Sequence, residues 1–175
     1  RSALRAEGKD VHLANLSFAS LPQEPELRLS PKCVRVTADT PHSQTYFPEF
    51  QLCSWFRDRH RADIAVYCFP QTGVVPLLDA YRTLHKHLSL DAVVLVDGGT
   101  DSLMRGDEAG LGTPAEDVTS LAAIAASDIP KKYLACIGFG VDVFHGVCHA
   151  QFLEAVAALA RCRGFLGVSA VLAGM

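Results

Sequence analysis

Acidic residues and glycines are concentrated in the stretch VDGGTDSLMRGDEAGLGTP, residues 96–114, directly after an apolar segment. Carboxylates gathered in one loop repel each other, and a divalent cation or a substrate amine relieves that repulsion. An ordinary solvated loop with Asx turns is the alternative, but the loop's length and its position after an apolar segment favour a site. The predicted metal ligands are Asp97, Asp107 and Glu108; Asp101 is the predicted catalytic carboxylate or further ligand; Glu116 and Asp117 lie just beyond.

The same loop carries residues that we expect to bind a small-molecule ligand. Glycines let the backbone approach a ligand closely, and the small polar residues and the cation beside them can bind it. A second ligand-binding turn is predicted in FPQTGV, residues 69–74, because free N–H groups that open a helix can hold an anion, although a plain capped turn is the alternative. These predicted ligand-binding residues are Gly98, Gly99, Thr100, Ser102 and Arg105, together with Thr72 and Gly73.

Histidines and an aspartate follow another apolar segment, in GFGVDVFHGVCH, residues 138–149. If the segment is helical, Asp142, His145 and His149 fall within a wedge of roughly 60°. These residue types suit a divalent cation, and they also suit a general base with its orienting carboxylate. The alternative is that Asp142 only caps a helix and that the histidines are ordinary hydrogen-bonded residues. We assign all three as catalytic.

Three apolar strands position these loops. Residues 63–69, 91–98 and 131–140 read as strands, each followed by a helix, and residues 165–172 read as a final strand. The helices that follow are predicted at 72–88 with Thr72 as the N-cap, at 113–127 with a capping box at Thr113, and at 142–164.

The first part of the chain is predicted as strands at 10–19 and 33–39, a loose segment at 20–32 and a helix at 46–60. Alternating strands and helices from residue 63 onward indicate an α/β fold with a doubly wound, mostly parallel sheet and helices on both faces. Residues 1–175 then form a single α/β domain that looks cut at both ends. Loops at the carboxyl ends of neighbouring parallel strands meet over one crevice, so the acidic loop and the histidines should converge.

Composition narrows the class of partner. The formal net charge of −3 argues against nucleic acid, and no apolar run reaches the roughly 18 residues that span a membrane. The six cysteines lack the spacing of a disulfide framework, which favours the cytoplasm. We expect a small-molecule ligand and, as a cofactor, a divalent metal ion. Homo-oligomerisation, or a partner docked on an apolar edge at residues 50–56, stays open.

Several long motifs that follow one another along the chain resemble those of a known family. LVDGGTDSLMRGDEAGLGTPAEDVTSLAAI, then IGFGVDVFHGVCHAQFLE, with TGVVPLLDAYRTL and the closing GFLG, are similar to the domain-of-unknown-function 1152 family over most of residues 46–170. The resemblance implies a Rossmann-like fold and singles out Asp97 to Glu108 and Asp142 to His149. It implies no activity, and the Gly-rich turn that members carry further upstream is not present in this chain.

The leading hypothesis is an enzyme, a metal-assisted hydrolase or transferase that acts on a small polar or anionic metabolite at the carboxyl edge of the sheet. Carboxylates and histidines serve hydrolysis or group transfer more naturally than hydride transfer. A non-catalytic protein that binds a nucleotide or another metabolite in the same crevice is the alternative.

Overall fold

The computed structural model describes residues 2–110, 112 and 114–169. The chain divides into two compact units, the first reaching to Ser89 and the second beginning at Leu90. Each unit combines helices and strands, which confirms the predicted α/β class.

The first unit contains a four-stranded sheet in the order β1-β4-β3-β2. Strands β1 and β4 are parallel, whereas β3 pairs antiparallel with both β4 and β2. Three helices accompany this mixed sheet. The elements in chain order are α1 (Ser2–Ala6), β1 (Leu13–Ser17), β2 (Arg28–Ser30), β3 (Cys33–Val36), α2 (Pro48–His60), β4 (Val66–Pro70) and α3 (Val74–Leu88).

The core of the first unit follows from two sequence patterns. The continuous apolar run of β4 is buried along almost its whole length, as expected for a central strand. Helix α3 buries Leu77, Ala80, Tyr81 and Leu84, a helical spacing that forms one apolar face. Pro76 lies in the first turn of α3, as predicted, but Gly73 rather than Thr72 is the N-cap.

The segment predicted to be loose, residues 20–32, contains regular structure. A 3-10 turn at Pro25–Leu27 leads into β2, which pairs with β3. The guanidinium of Arg28 donates hydrogen bonds to the carbonyl oxygens of Pro22 and Pro31 and to Oε1 of Gln23. The prediction failed here because a three-residue strand held by one arginine leaves almost no periodic pattern.

The second unit contains a parallel pair of strands joined by a helix. Strand β5 (Ala92–Asp97) pairs with β6 (Lys131–Cys136), and α4 (Pro114–Ala125) makes the connection. Register places Asp97 opposite Cys136, so both strands end at the same edge. Short 3-10 turns at Asp101–Leu103 and Val141–His145 follow the two strands, and α5 (His149–Arg161) comes last.

The predicted continuous helix over 142–164 is wrong. The chain forms the 3-10 turn Val141–His145, bends at Gly146 with φ 83°, and begins α5 at His149. Only glycine adopts such a left-handed conformation at no steric cost, so Gly146 ends the first turn. The helical wedge of Asp142, His145 and His149 therefore does not form. Residues 165–169 of the predicted last strand are irregular, and 170–172 lie outside the described residues.

No helix within the described residues is both long and apolar enough to cross a membrane.

Candidate functional site

Three carboxylates converge at the end of β5. Asp97 is the last residue of β5, Asp101 opens the following 3-10 turn, and Asp117 lies in the first turns of α4. Each of them offers an oxygen, and these oxygens all lie within 4.8 Å of one another. Asp101 is only 5% exposed, and the other two are half-buried. We call this group the three-aspartate cluster.

The loop after β5 folds around the side chain of Asp97. Its Oδ1 accepts a hydrogen bond from the N–H of Gly99 at 2.7 Å, and its Oδ2 accepts one from the N–H of Ser102 at 3.2 Å. These contacts fix the orientation of the carboxylate. A carboxylate has about four lone-pair sites, so both oxygens can still bind a cation.

The carboxylate of Asp142, which lies outside the cluster, joins this loop to the loop after β6. Oδ2 of Asp142 accepts hydrogen bonds from the backbone N–H of Thr100 and, at 3.0 Å, from its hydroxyl. Asp142 is 8% exposed, and the hydrogen bonds from these donors offset the cost of burying its carboxylate. We call this pair the Asp142–Thr100 latch.

Glycines allow the close contacts in this region. A Cβ on Gly99 would lie 2.3 Å from Oδ2 of Asp142, and one on Gly112 would lie 2.4 Å from Oδ2 of Asp101. A Cβ on Gly110 would lie 2.5 Å from the Cα of Gly146. Side chains at these glycines would therefore separate the two loops or displace the carboxylates.

Burial and repulsion between the carboxylates change the pKa of Asp117. Burial, followed by the negative charges of Asp101 and Asp97 and a hydrogen bond to Asp101, together raise the pKa of Asp117 from 3.8 to about 7. Asp117 is therefore partly protonated near neutral pH, which lowers the repulsion within the cluster. The nearby thiol of Cys136 also has a raised pKa, mainly because of burial, and its Sγ lies 3.4 Å from Oγ of Ser102.

The raised pKa of Asp117 predicts how stability depends on pH. Between about pH 4 and about pH 7 the folded protein retains a proton that the unfolded chain releases, so this group's contribution to stability is lost as pH rises. At pH 8 the ionised carboxylate of Asp117 destabilises the folded protein, and Asp117→Asn removes that cost, so the variant should exceed the parent in free energy of unfolding by about 1 kcal/mol, after allowance for solvent screening.

Urea denaturation at pH 4.5 and pH 8 in the presence of a chelator measures this effect. Asp107→Asn removes the same charge from an exposed position in the loop after β5 and serves as the control. Equal pH dependence in the parent and in Asp117→Asn would contradict the assignment.

A family model described as "Protein of unknown function (DUF1152)" matches residues 36–173. The chain belongs to the DUF1152 family. Its matched region includes the whole cluster and the latch, and the resemblance seen in the sequence is confirmed. Comparison with curated proteins and with solved structures gives no match.

Within this DUF1152 chain the structure brings together part of the predicted acidic set. Asp97 and Asp101 belong to the cluster, whereas Asp107 is exposed. The carboxylate of Glu108 accepts hydrogen bonds from the N–H groups of Arg105 and Gly106, both at 2.7 Å, which lowers its pKa. Glu108 therefore folds back on its own turn.

The residue that completes the cluster, Asp117, was not assigned to the site from sequence. It comes three residues after Pro114 at the start of a helix, where acidic residues are common for local reasons. Its place among the other carboxylates depends on how α4 packs on the end of β5, and local sequence carries no signal of that packing.

The predicted histidines lie at the surface of the second unit. Nδ1 of His145 is 3.8 Å from Oδ1 of Asp142, and the His145 side chain is 66% exposed. His149 is the exposed first residue of α5, with its ring 6.1 Å from that of Phe139.

The remaining predicted ligand-binding residues differ in their surroundings. A Cβ on Gly98 would meet nothing within 4 Å, which leaves open space beside the cluster. Thr72 and Gly73 belong to the first unit, where they precede α3.

Proposed function

We propose that the three-aspartate cluster binds a divalent cation. The observation that carries this proposal is the convergence of three carboxylates from β5, its following turn and α4 to within 4.8 Å, with Asp101 buried. Buried like charges are costly unless a counter-charge is close, and the raised pKa of Asp117 shows that cost. Asp97 and Asp101 keep their roles from the sequence prediction, and Asp117 takes the place proposed for Asp107 and Glu108.

The chemistry of the ligands favours a hard cation. Carboxylate oxygens suit Mg²⁺, Mn²⁺ and Ca²⁺, whereas zinc prefers nitrogen and sulfur ligands. Mg²⁺ commonly binds through one or two carboxylates and keeps several waters, which substrate oxygens then replace. A small polar or anionic metabolite, such as a phosphorylated one, is therefore the substrate class that fits this site.

We propose a metal-assisted hydrolase or transferase as the activity. A bound cation would polarise the substrate and activate water. In this proposal His145 is the general base, because its exposed ring lies beside the buried Asp142 at the same end of the sheet as the cluster. His149, at the start of α5, is the second candidate for that role.

A non-catalytic metabolite-binding protein is the second candidate. The observation that favours it is the 3.8 Å separation between His145 and Asp142, which is longer than a hydrogen bond. Oδ2 of Asp142 binds Thr100, and Oδ1 lies too far from the imidazole for a hydrogen bond, so the carboxylate does not orient His145 as it would a general base.

We also propose that the sheet is doubly wound and Rossmann-like. Both parallel pairs, β1 with β4 and β5 with β6, are joined by connections that contain a helix, as in a doubly wound Rossmann-like sheet. All six cysteines are free, which supports a cytoplasmic location.

Titration with Mn²⁺, Mg²⁺, Ca²⁺ and Zn²⁺ by calorimetry tests the cation site. We expect saturable binding of Mn²⁺ and Mg²⁺, and at a hundredfold excess over Kd a gain of about 2.7 kcal/mol in free energy of unfolding. The double substitution Asp107→Asn and Glu108→Gln tests the assignment of ligands, and should leave Mn²⁺ affinity within about threefold of the parent, because the charge of Asp107 is exposed and screened and Glu108 is bound by its own turn. Absence of saturable binding would refute the proposal.

A turnover assay distinguishes the proposed enzyme from the proposed non-catalytic binding protein. The Mg²⁺-loaded protein is incubated with nucleotides and sugar phosphates, and phosphate release is followed by phosphorus NMR. Release that is lost in His145→Ala while Mn²⁺ affinity is retained supports the hydrolase. Saturable binding of a metabolite with no conversion supports the binding protein.

A further inference from the structure

The Asp142–Thr100 latch holds the residue next to the buried member of the cluster. Thr100 immediately precedes Asp101, and both of its donors, the N–H and the hydroxyl, point to one oxygen of Asp142. Hydrogen bonds to a charged acceptor are roughly twice as strong as those between neutral groups. Thr100 is 4% exposed, so water is a poor substitute for Asp142.

Two backbone contacts support the same junction. Gly99 packs directly against the Asp142 carboxylate, and Gly110 packs against the backbone of Gly146. The loop after β5, which carries Asp101, is therefore held at two points by the loop after β6. No oxygen of Asp142 is part of the three-aspartate cluster in the described residues.

We infer that Asp142 is a positioning residue for the cation site: by anchoring Thr100 it sets the position of Asp101, so the loop after β6 controls cation affinity at the end of β5. This inference rests on the proposed cation site. Coupling between two sites is reciprocal, so a bound cation should also tighten the latch.

Mn²⁺ affinity in four variants tests the coupling. Asp142→Ala should weaken binding about tenfold, since it removes both hydrogen bonds and a nearby charge. Thr100→Val removes only the hydroxyl and changes no charge, and should weaken binding about threefold. Thr100→Ser should restore the affinity of the parent. Asp91→Ala removes an exposed charge before β5, at the other end of the strand, and should leave affinity unchanged.

Amide hydrogen exchange of Thr100, measured by NMR on the full chain, provides a readout that does not depend on the cation. Exchange at Thr100 should be about tenfold faster in Asp142→Ala than in the parent, while exchange within β6 is unchanged. Adding Mg²⁺ to the parent should make exchange at Thr100 slower than it is without the cation, because the cation favours the loop conformation in which Asp142 binds Thr100.

The outcomes separate the two proposals. Parent-like Mn²⁺ affinity in both Asp142→Ala and Thr100→Val overturns the positioning role and leaves the cation site standing. An affinity in Thr100→Ser equal to that in Thr100→Val also overturns it, because the hydroxyl contact would then be irrelevant. If the parent binds no cation, the proposed function fails. The inference that Asp142 controls cation affinity then fails with it, even if hydrogen exchange at Thr100 shows that the latch exists.

Discussion

Asp101→Asn is expected to weaken Mn²⁺ binding about 100-fold, an effect of about 2.7 kcal/mol. Asp101 is the buried member of the three-aspartate cluster, so its charge acts on a bound cation with little screening by water. Asparagine keeps the shape of the side chain and one oxygen, so the loss reports the charge rather than a change in packing. Calorimetric titration of the parent and the variant measures it.

The same substitution should alter the titration of Asp117. Repulsion by Asp101 and the hydrogen bond to it both raise the pKa of Asp117, so the pKa in Asp101→Asn should be lower than about 7, although burial remains. Carbon NMR of the Asp117 carboxyl group follows this shift. Asp91→Asn is the matched charge control. Parent-like Mn²⁺ affinity in Asp101→Asn would show that the cluster is not the cation site.

Gly99→Ala is expected to lower the free energy of unfolding by about 2 kcal/mol. Its Cβ would lie 2.3 Å and 2.7 Å from the two carboxylate oxygens of Asp142, closer than real Cβ atoms come to other atoms. Either the loop or the buried carboxylate must move, and Thr100 then loses its acceptor. Urea denaturation at neutral pH measures the change.

Gly98→Ala is the matched control for this effect. A Cβ on Gly98 meets nothing within 4 Å, so stability should change by less than about 1 kcal/mol. In the Asp142→Ala background the clash at residue 99 is absent, and Gly99→Ala should then cost less than it does in the parent. Equal changes in free energy of unfolding for Gly98→Ala and Gly99→Ala would show that the contact between Gly99 and Asp142 can move apart at little cost.

Much of the fold could be predicted because it is encoded locally. Apolar runs at 63–69 and 91–98 predicted β4 and β5 to within a few residues, and β4 is buried as such a run indicates, whereas Val94 and Val96 of β5 are exposed. Helices α2, α3 and α4 were predicted from their helical spacing and their prolines. The loop after β5 was predicted to be a site from its composition, its length and its position after an apolar strand, and two of the three clustered carboxylates, Asp97 and Asp101, lie at or near its start.

Contacts distant along the chain could not be predicted in the same way. Glycine 146 interrupts the predicted helix, and the resulting turn directs Asp142 toward Thr100, 42 residues away in sequence. Glu108 carries the same charge as the clustered acids, but its own turn provides two N–H donors within three residues and binds it there. Residue type and spacing do not distinguish these outcomes.

By itself, the sequence determined the α/β class, the family, the position of β5 and the acidic character of the loop that follows it, because each depends on residues close together in the chain. Only the tertiary structure decided that Asp117 joins Asp97 and Asp101, and that Asp142 holds the loop. Those roles depend on the packing of α4 and of the turn after β6 at one end of a parallel strand pair. There burial and the like charges of its neighbours raise the pKa of Asp117, and the same crowding of carboxylates supports the proposed cation site.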